Sequence, residues 1–257
     1  MSTGVLLEPS PALDPAFLAR PLAHRALHDR AAGRPENSLA AVRAAVRAGY
    51  GIEIDVQMSR DGRAMVFHDY DLGRLTKEVG AVQLRDAAVL GQIALRDGEG
   101  QTIPTLEQVL AQIAGAVPVV IEIKDQDGAL GPDVGRLEAA VVQAVHAYTG
   151  PVAVMSFNPH SVAWFGHHAP WMARGLVSDR FEPSGWPAVP KARLAALRPL
   201  PDVARLGVGF ISHHWESLGD APVRAARARG LPVLCWTIHT PEAAARALDG
   251  ADVITFE

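Results

Sequence analysis

Cysteine is nearly missing from this sequence: Cys235 is the only one in 257 residues. No internal disulfide can form, and a reducing, intracellular setting is compatible with that. A basic excess is missing too. With 24 Lys and Arg against 28 Asp and Glu the formal charge is -4, so no cationic face is available for nucleic acid. No window approaches the roughly 20 apolar residues that a membrane-spanning helix needs. Residues 1–20 carry Glu8, Asp14 and several prolines, and lack the cationic start and apolar run of a secretory signal. The expectation is a soluble, cytoplasmic protein with no stable membrane insertion. Internal repeats and low-complexity segments are absent as well, and nothing in the composition sets an oligomeric state.

What is present is an ordinary globular composition, 49% hydrophobic and 20% charged, in a length that one large α/β domain can fill. The stretch 51–69 is the most specific about chemistry. Ile52, Ile54 and Val56 alternate with Glu53 and Asp55, a strand pattern that sends both carboxylates to one side. Ionised carboxylates are costly to bury together unless a cation or donor network neutralises them, so the pair reads as half of a hard-metal site. Asp61-Gly62 signals a hairpin, and the apolar run 64–67 gives its second strand. Antiparallel pairing then brings His68 back beside Asp55.

Around this stretch a beat of strands and helices is legible. Residues 1–20 form a proline-rich arm, and 21–257 one barrel domain. Ser38 caps a helix that Gly49 stops, and Thr105 caps another over 106–113. Strand 118–124 is apolar on both faces until Glu122 and Lys124, as inside a covered parallel sheet. Helix 134–148, strand 152–157, helix 161–168, strand 173–177, helix 191–197, strand 209–212, helix 221–229, strand 232–236, helix 241–248 and strand 252–255 follow. The segment from Asp69 to about Gly100 reads as polar and irregular. With the hairpin as an excursion after the second strand, about eight strands alternate with helices, which predicts a (β/α)8 TIM barrel.

In such a barrel the carboxyl ends of the strands share one mouth. His24 and Arg25 end the first strand, Glu53 and Asp55 the second, Glu122 and Lys124 the third, and Trp236 the seventh, with His68 folded back. The ordered set His24-Arg25, Pro35-Glu36-Asn37, Glu53-x-Asp55, Asp61-Gly62, His68-Asp69, Ile103-Pro104-Thr105-Leu106, Glu122-Ile123-Lys124 and Trp236-Thr237 resembles the glycerophosphodiester phosphodiesterase family, from about Leu22 to the last residue. The resemblance implies a barrel of the phospholipase C-like phosphodiesterase type that hydrolyses glycerophosphodiesters to glycerol 3-phosphate and an alcohol. It further implies Glu53, Asp55 and Glu122 as ligands of a divalent cation, Mg²⁺ or Ca²⁺, and His24 and His68 as an acid and base pair. Arg25, Glu36, Asn37, Lys124 and Trp236 become the expected substrate contacts.

One position departs from that pattern. The family usually has glycine after His-Arg, and this chain has Ala26, which resists backbone angles that glycine accepts. A non-catalytic or retuned barrel that binds a phosphorylated small molecule therefore stands beside hydrolysis, and a lysophospholipase D-like phosphodiesterase is a separate alternative. Of the remaining histidines, His213 and His214 sit at a strand end and are candidates to line the pocket.

Overall fold

The computed structural model describes residues 7–257. Strand β1 (Leu22–Ala23) leads to helix α1 (Leu39–Ala48), β2 (Gly51–Met58) and its antiparallel hairpin partner β3 (Ala64–Val66). A short helix α2 (Ala87–Leu90), then α3 (Leu106–Ile113), precedes β4 (Val119–Ile123). The alternation continues through α4 (Arg136–Val145), β5 (Val152–Ser156), α5 (Pro159–His168), β6 (Ala173–Ser178), α6 (Lys191–Leu197), α7 (Asp202–Arg205), β7 (Phe210–His214), α8 (Ala221–Ala228), β8 (Val233–Ile238), α9 (Pro241–Ala247) and β9 (Val253–Phe256). The strands pair in the order β1-β9-β8-β7-β6-β5-β4-β2, and β1 also pairs with β2, so eight parallel strands close into a barrel and β3 hangs outside. This is the predicted (β/α)8 fold with its hairpin excursion. No helix among the described residues is long and apolar enough to cross a membrane.

Local chemistry sets the element ends. Ser38 Oγ accepts from the Ala41 amide, and Gly49 closes α1 in the left-handed conformation. Thr105 and Gln108 form a reciprocal capping box at α3. β1 stops at Ala23, two residues before the end that the sequence predicts, because Arg25 (φ 52°) and Ala26 (φ 66°) turn left-handed. Between strands and helices lie two continuous apolar layers, one from Ala23 to Met172 and one from Leu130 to Ile254.

The barrel interior is packed below and polar above. Leu22, Val120, Ala153, Phe210, Leu234 and Val253 fill the lower interior, and Leu13 and Phe17 of the proline-rich arm join them. Phe17 is 0% exposed, a burial that contributes about 2–3 kcal/mol. Gly175 makes room for this packing: a Cβ there would lie 2.4 Å from Phe210 Cε2. The register Asp55↔Glu122 between β2 and β4 sets two carboxylates side by side on the inward face, and Glu53 lies one inward step below.

The segment after Asp69 is more ordered than its polar sequence predicts. Met65, Phe67, Leu72, Leu75, Val82, Leu90, Ile93, Leu95 and Ile103 form a separate small core under it. Its apolar residues come singly and without period, so neither helical nor strand templates detect them. Isolated bridges Asp71↔Ala81, Thr76↔Leu95 and Ala94↔Thr102 hold it together.

Candidate active site

At the carboxyl ends of the strands lies a cavity of about 110 Å³ lined by His24, Arg25, Glu53, His68, Glu122, Lys124, Met155, Phe157, Val177, Ser212, Trp236, Thr237 and Thr255. A larger open groove of about 830 Å³ flanks the excursion, but it shares no lining residue with this cavity and its ion pairs are partly solvated. The chemistry gathers in the small cavity.

Glu53, Asp55 and Glu122 each place one carboxylate oxygen so that all three lie within 4.8 Å of one another. Glu53 and Asp55 are 1% and 0% exposed. Such a cluster needs positive charge, and the protein supplies part of it. Lys124 Nζ lies 2.6 Å from Glu122 Oε1 and 2.7 Å from Asp55 Oδ1, the latter off the line of a good hydrogen bond. Arg25 donates its backbone N–H to Glu53 Oε2 at 2.9 Å and sets Nε 3.6 Å from Asp55 Oδ2. Burial and then the neighbouring carboxylates of Asp55 and Glu122 push the Glu53 carboxyl well above its ordinary range. Burial acts on Asp55 in the same direction, but Lys124, His68 and Arg25 outweigh it and hold Asp55 ionised. Glu53 Oε1 is buried and without a hydrogen-bond partner. Three clustered carboxylates with an unsatisfied oxygen are a donor set that suits a hard divalent cation, so the residues fit the metal that the sequence implied.

Both imidazoles reach the cavity with one nitrogen already engaged. His24 Nδ1 is 2.6 Å from Glu257 Oε1, and its Nε2 is 4.0 Å from Glu53 Oε2. Burial lowers the pKa of His24 even against the pull of Glu257, whereas hydrogen bonds from His24 and His28 hold Glu257 ionised. His68 Nδ1 is 2.6 Å from Asp69 Oδ1, and its backbone carbonyl accepts from Gln57 Nε2 at 3.0 Å. The hairpin delivers His68 as its pattern predicted: Phe67 N–H donates to the Asp55 carbonyl, so the next side chain turns inward beside the acids.

Glu36 and Asn37 stand behind the cavity and do not line it. Glu36 accepts from Arg25 Nη1 at 2.8 Å. Asn37, 1% exposed, donates Nδ2–H to Asp55 Oδ2 at 2.9 Å and accepts the Asp55 amide on Oδ1 at 3.3 Å. Expected to contact substrate or to orient Arg25, they bond to Arg25 and Asp55 respectively. Their sequence signal was sound as to place, but spacing cannot tell a group that faces a ligand from one that holds its neighbour. Trp236 does line the cavity, with Phe157 edge-on at 5.6 Å between ring centroids. His213 is buried between Ser178 Oγ (2.8 Å) and Ser217 Oγ (2.9 Å) and does not line this cavity.

Ala26 resolves its own difficulty. It takes the left-handed angles that glycine would favour, and its N–H donates to the Glu53 carbonyl at 3.0 Å. Left-handed alanine costs about 1–2 kcal/mol, and Arg25 nonetheless keeps its bond to Glu53. The sequence motifs leave out Glu257 and Arg74, and include Asp69 only beside His68, with no role of its own. The first could have been found, because it follows directly on the last strand, where barrel side chains meet the mouth.

Fold and site together define the class, a (β/α)8 barrel enzyme with acids and imidazoles at its carboxyl mouth. Residues 24–254 match the family model described as the glycerophosphoryl diester phosphodiesterase family, and the chain belongs to that family. It is 32% identical over 153 residues to a glycerophosphodiester phosphodiesterase of Caldanaerobacter subterraneus subsp. tengcongensis, an alignment covering 56% of this chain and 61%, less than two thirds, of that protein. With glycerophosphodiester phosphodiesterase 1 of Bos taurus it shares 26% identity over 257 residues, 89% of this chain and 74% of the other. Among solved structures, an Oleispira antarctica phosphodiesterase in complex with the product sn-glycerol-3-phosphate superposes with a TM-score of 0.76 at 26% identity, covering 94% of each chain. A glycerophosphodiester phosphodiesterase from Parabacteroides distasonis gives 0.71 at 25%, covering 91% of each.

Proposed function

We propose that this protein hydrolyses glycerophosphodiesters to glycerol 3-phosphate and an alcohol, with a divalent cation held by Glu53, Asp55 and Glu122. The observation that carries this reading is the buried acid triad set between two imidazoles whose far nitrogens are tied to carboxylates, in a chain of this family. When bound, Mg²⁺ or Ca²⁺ supplies positive charge to phosphoryl oxygens that gain negative charge in the transition state.

The residues divide the remaining work. Arg25, held by Glu36, offers its guanidinium to the phosphate, and Lys124 adds a second cation beside Asp55 and Glu122. With Nδ1–H donated to Glu257 or Asp69, each imidazole turns Nε2 to the mouth. One of them takes the proton of the attacking hydroxyl and the other protonates the leaving alkoxide, which is a poor leaving group without that proton. Trp236 and Phe157 form an apolar wall for the glycerol carbons. Asn37 holds Asp55 in place. Residues 21–257 act as one functional domain, with the cytoplasm as the proposed place of action.

The test is release of glycerol 3-phosphate from glycerophosphocholine and glycerophosphoethanolamine by metal-stripped protein, with Mg²⁺, Ca²⁺ or Mn²⁺ added back singly. Cation-dependent release is expected. Tight binding of glycerol 3-phosphate without turnover under any of the ions would favour the binding-only barrel. Preference for lysophospholipids would favour the lysophospholipase D-like reading.

A further inference from the structure

Arg74 lies on the excursion, outside every strand that builds the mouth, yet it joins two parts of the site. Its Nη1 and Nη2 donate to Glu36 Oε2 and Oε1, both at 2.8 Å. Its Nε and Nη2 donate to Asp69 Oδ2 and Oδ1 at 2.6 and 2.8 Å. Each carboxylate turns its remaining capacity toward a residue of the cavity. Glu36 Oε1 also accepts from Arg25 Nη1 at 2.8 Å, and Asp69 Oδ1 meets His68 Nδ1 at 2.6 Å. The outcome is one continuous chain, Arg25–Glu36–Arg74–Asp69–His68.

The Arg74 side chain is 46% exposed, so solvent screens its ion pairs, and their bidentate, networked geometry is what gives them any weight in folding. What a planar guanidinium adds is direction, since two bidentate forks fix the plane of each carboxylate. Its anchorage is firm as well: Leu72 and Leu75 on either side are 0% and 9% exposed in the small core of the excursion.

We propose that Arg74 is a positioning residue that sets Arg25 and His68 in a common register, so that the ligand of the phosphate and the proton-transfer group are aligned by one clamp on the excursion. This rests on the roles given above to Arg25 and His68. It makes the excursion part of the catalytic apparatus without contact between Arg74 and substrate.

The experiment is a double-mutant cycle in kcat and KM. Arg74→Ala lowers kcat/KM by about 10- to 100-fold, the scale of a sub-ångström to ångström misplacement, with kcat falling through His68 and KM rising through Arg25. Guanidinium added to Arg74→Ala restores part of the rate and methylammonium does not. Arg74→Lys, which keeps the charge and the stem, recovers KM better than kcat and keeps the test open if Arg74→Ala melts early. Glu36→Gln and Asp69→Asn are strongly non-multiplicative when Arg74 is present, and their effects multiply in the Arg74→Ala background. Equal coupling with and without Arg74, or an unchanged kcat in Arg74→Ala, overturns the inference. His68→Ala separates the two claims: if it is inactive while Arg74→Ala behaves as wild type, only the clamp fails, whereas an active His68→Ala overturns the underlying reading and the clamp with it.

Discussion

The two halves of the barrel mouth are made of different material. From β1 to β4 the cavity receives His24, Arg25, Glu53, His68, Glu122 and Lys124, with Asp55 buried behind them, whereas from β5 to β9 it receives Met155, Phe157, Val177, Ser212, Trp236 and Thr255. The charged half is over-determined, since nearly every group in it is fixed by another ion or amide. The apolar half is fixed by packing, as in the edge contacts of Phe157 with Trp186 and Trp236. A low-dielectric wall opposite a cluster of charges strengthens every interaction within the cluster. Under the proposed function, chemistry falls to the charged side and shape selection to the apolar one. Glu257 is the exception, because it reaches from the end of β9 to His24.

The contrast breaks most visibly when the charged half is cut. His24→Ala and His68→Ala are each expected to lower kcat/KM by about 10³-fold, within the range of general acid–base catalysis, measured as glycerol 3-phosphate release. On the same side of the barrel as the apolar half, but outside the cavity, the largest effect is on stability. Burial depresses His213 to about 4, while the unfolded chain titrates near 6.5. Between those values the unfolded state binds more protons, so stability falls as pH drops from about 6.5 to about 4, by up to about 3 kcal/mol. Denaturant melts across that window, repeated with His213→Asn, check whether the slope belongs to His213.

Smaller effects sharpen the boundary between the halves. Glu257→Gln is expected to lower kcat on the order of 10²-fold by loosening the Nδ1 anchor of His24, with KM nearly unchanged in steady-state assays. Trp236→Ala does the reverse, raising KM about tenfold, roughly 1.4 kcal/mol, with kcat largely kept. Ala26→Gly has the least effect. Relief of a left-handed alanine, about 1–2 kcal/mol, is offset by loss of a buried methyl, about 0.8 kcal/mol, so thermal melting should move little.

The charged half was largely legible in the sequence and the links between its members were not. Glu53 and Asp55 stood out because paired carboxylates on an apolar strand are physically costly, and the hairpin at Asp61-Gly62 placed His68 by geometry alone. The barrel followed from apolar strands whose polar residues gather at one end. Arg74 and its link to Asp69 stayed hidden because they depend on how the excursion folds, and its core is built from single apolar residues without a period. Arg25 and Ala26 in left-handed conformations end β1 early, a backbone feature that residue patterns read as continued strand. The helix Asp202–Arg205 was unread for the reason that four residues give too little periodicity.

The most direct test of a charged half organised around one cation is titration of metal-stripped protein with Mn²⁺, followed by electron paramagnetic resonance. A single site in the wild type, lost in both Asp55→Asn and Glu122→Gln while the proteins stay folded, is the expected result. Equal binding in all three proteins, or hydrolysis by a wild type that binds no Mn²⁺, Mg²⁺ or Ca²⁺, would contradict it.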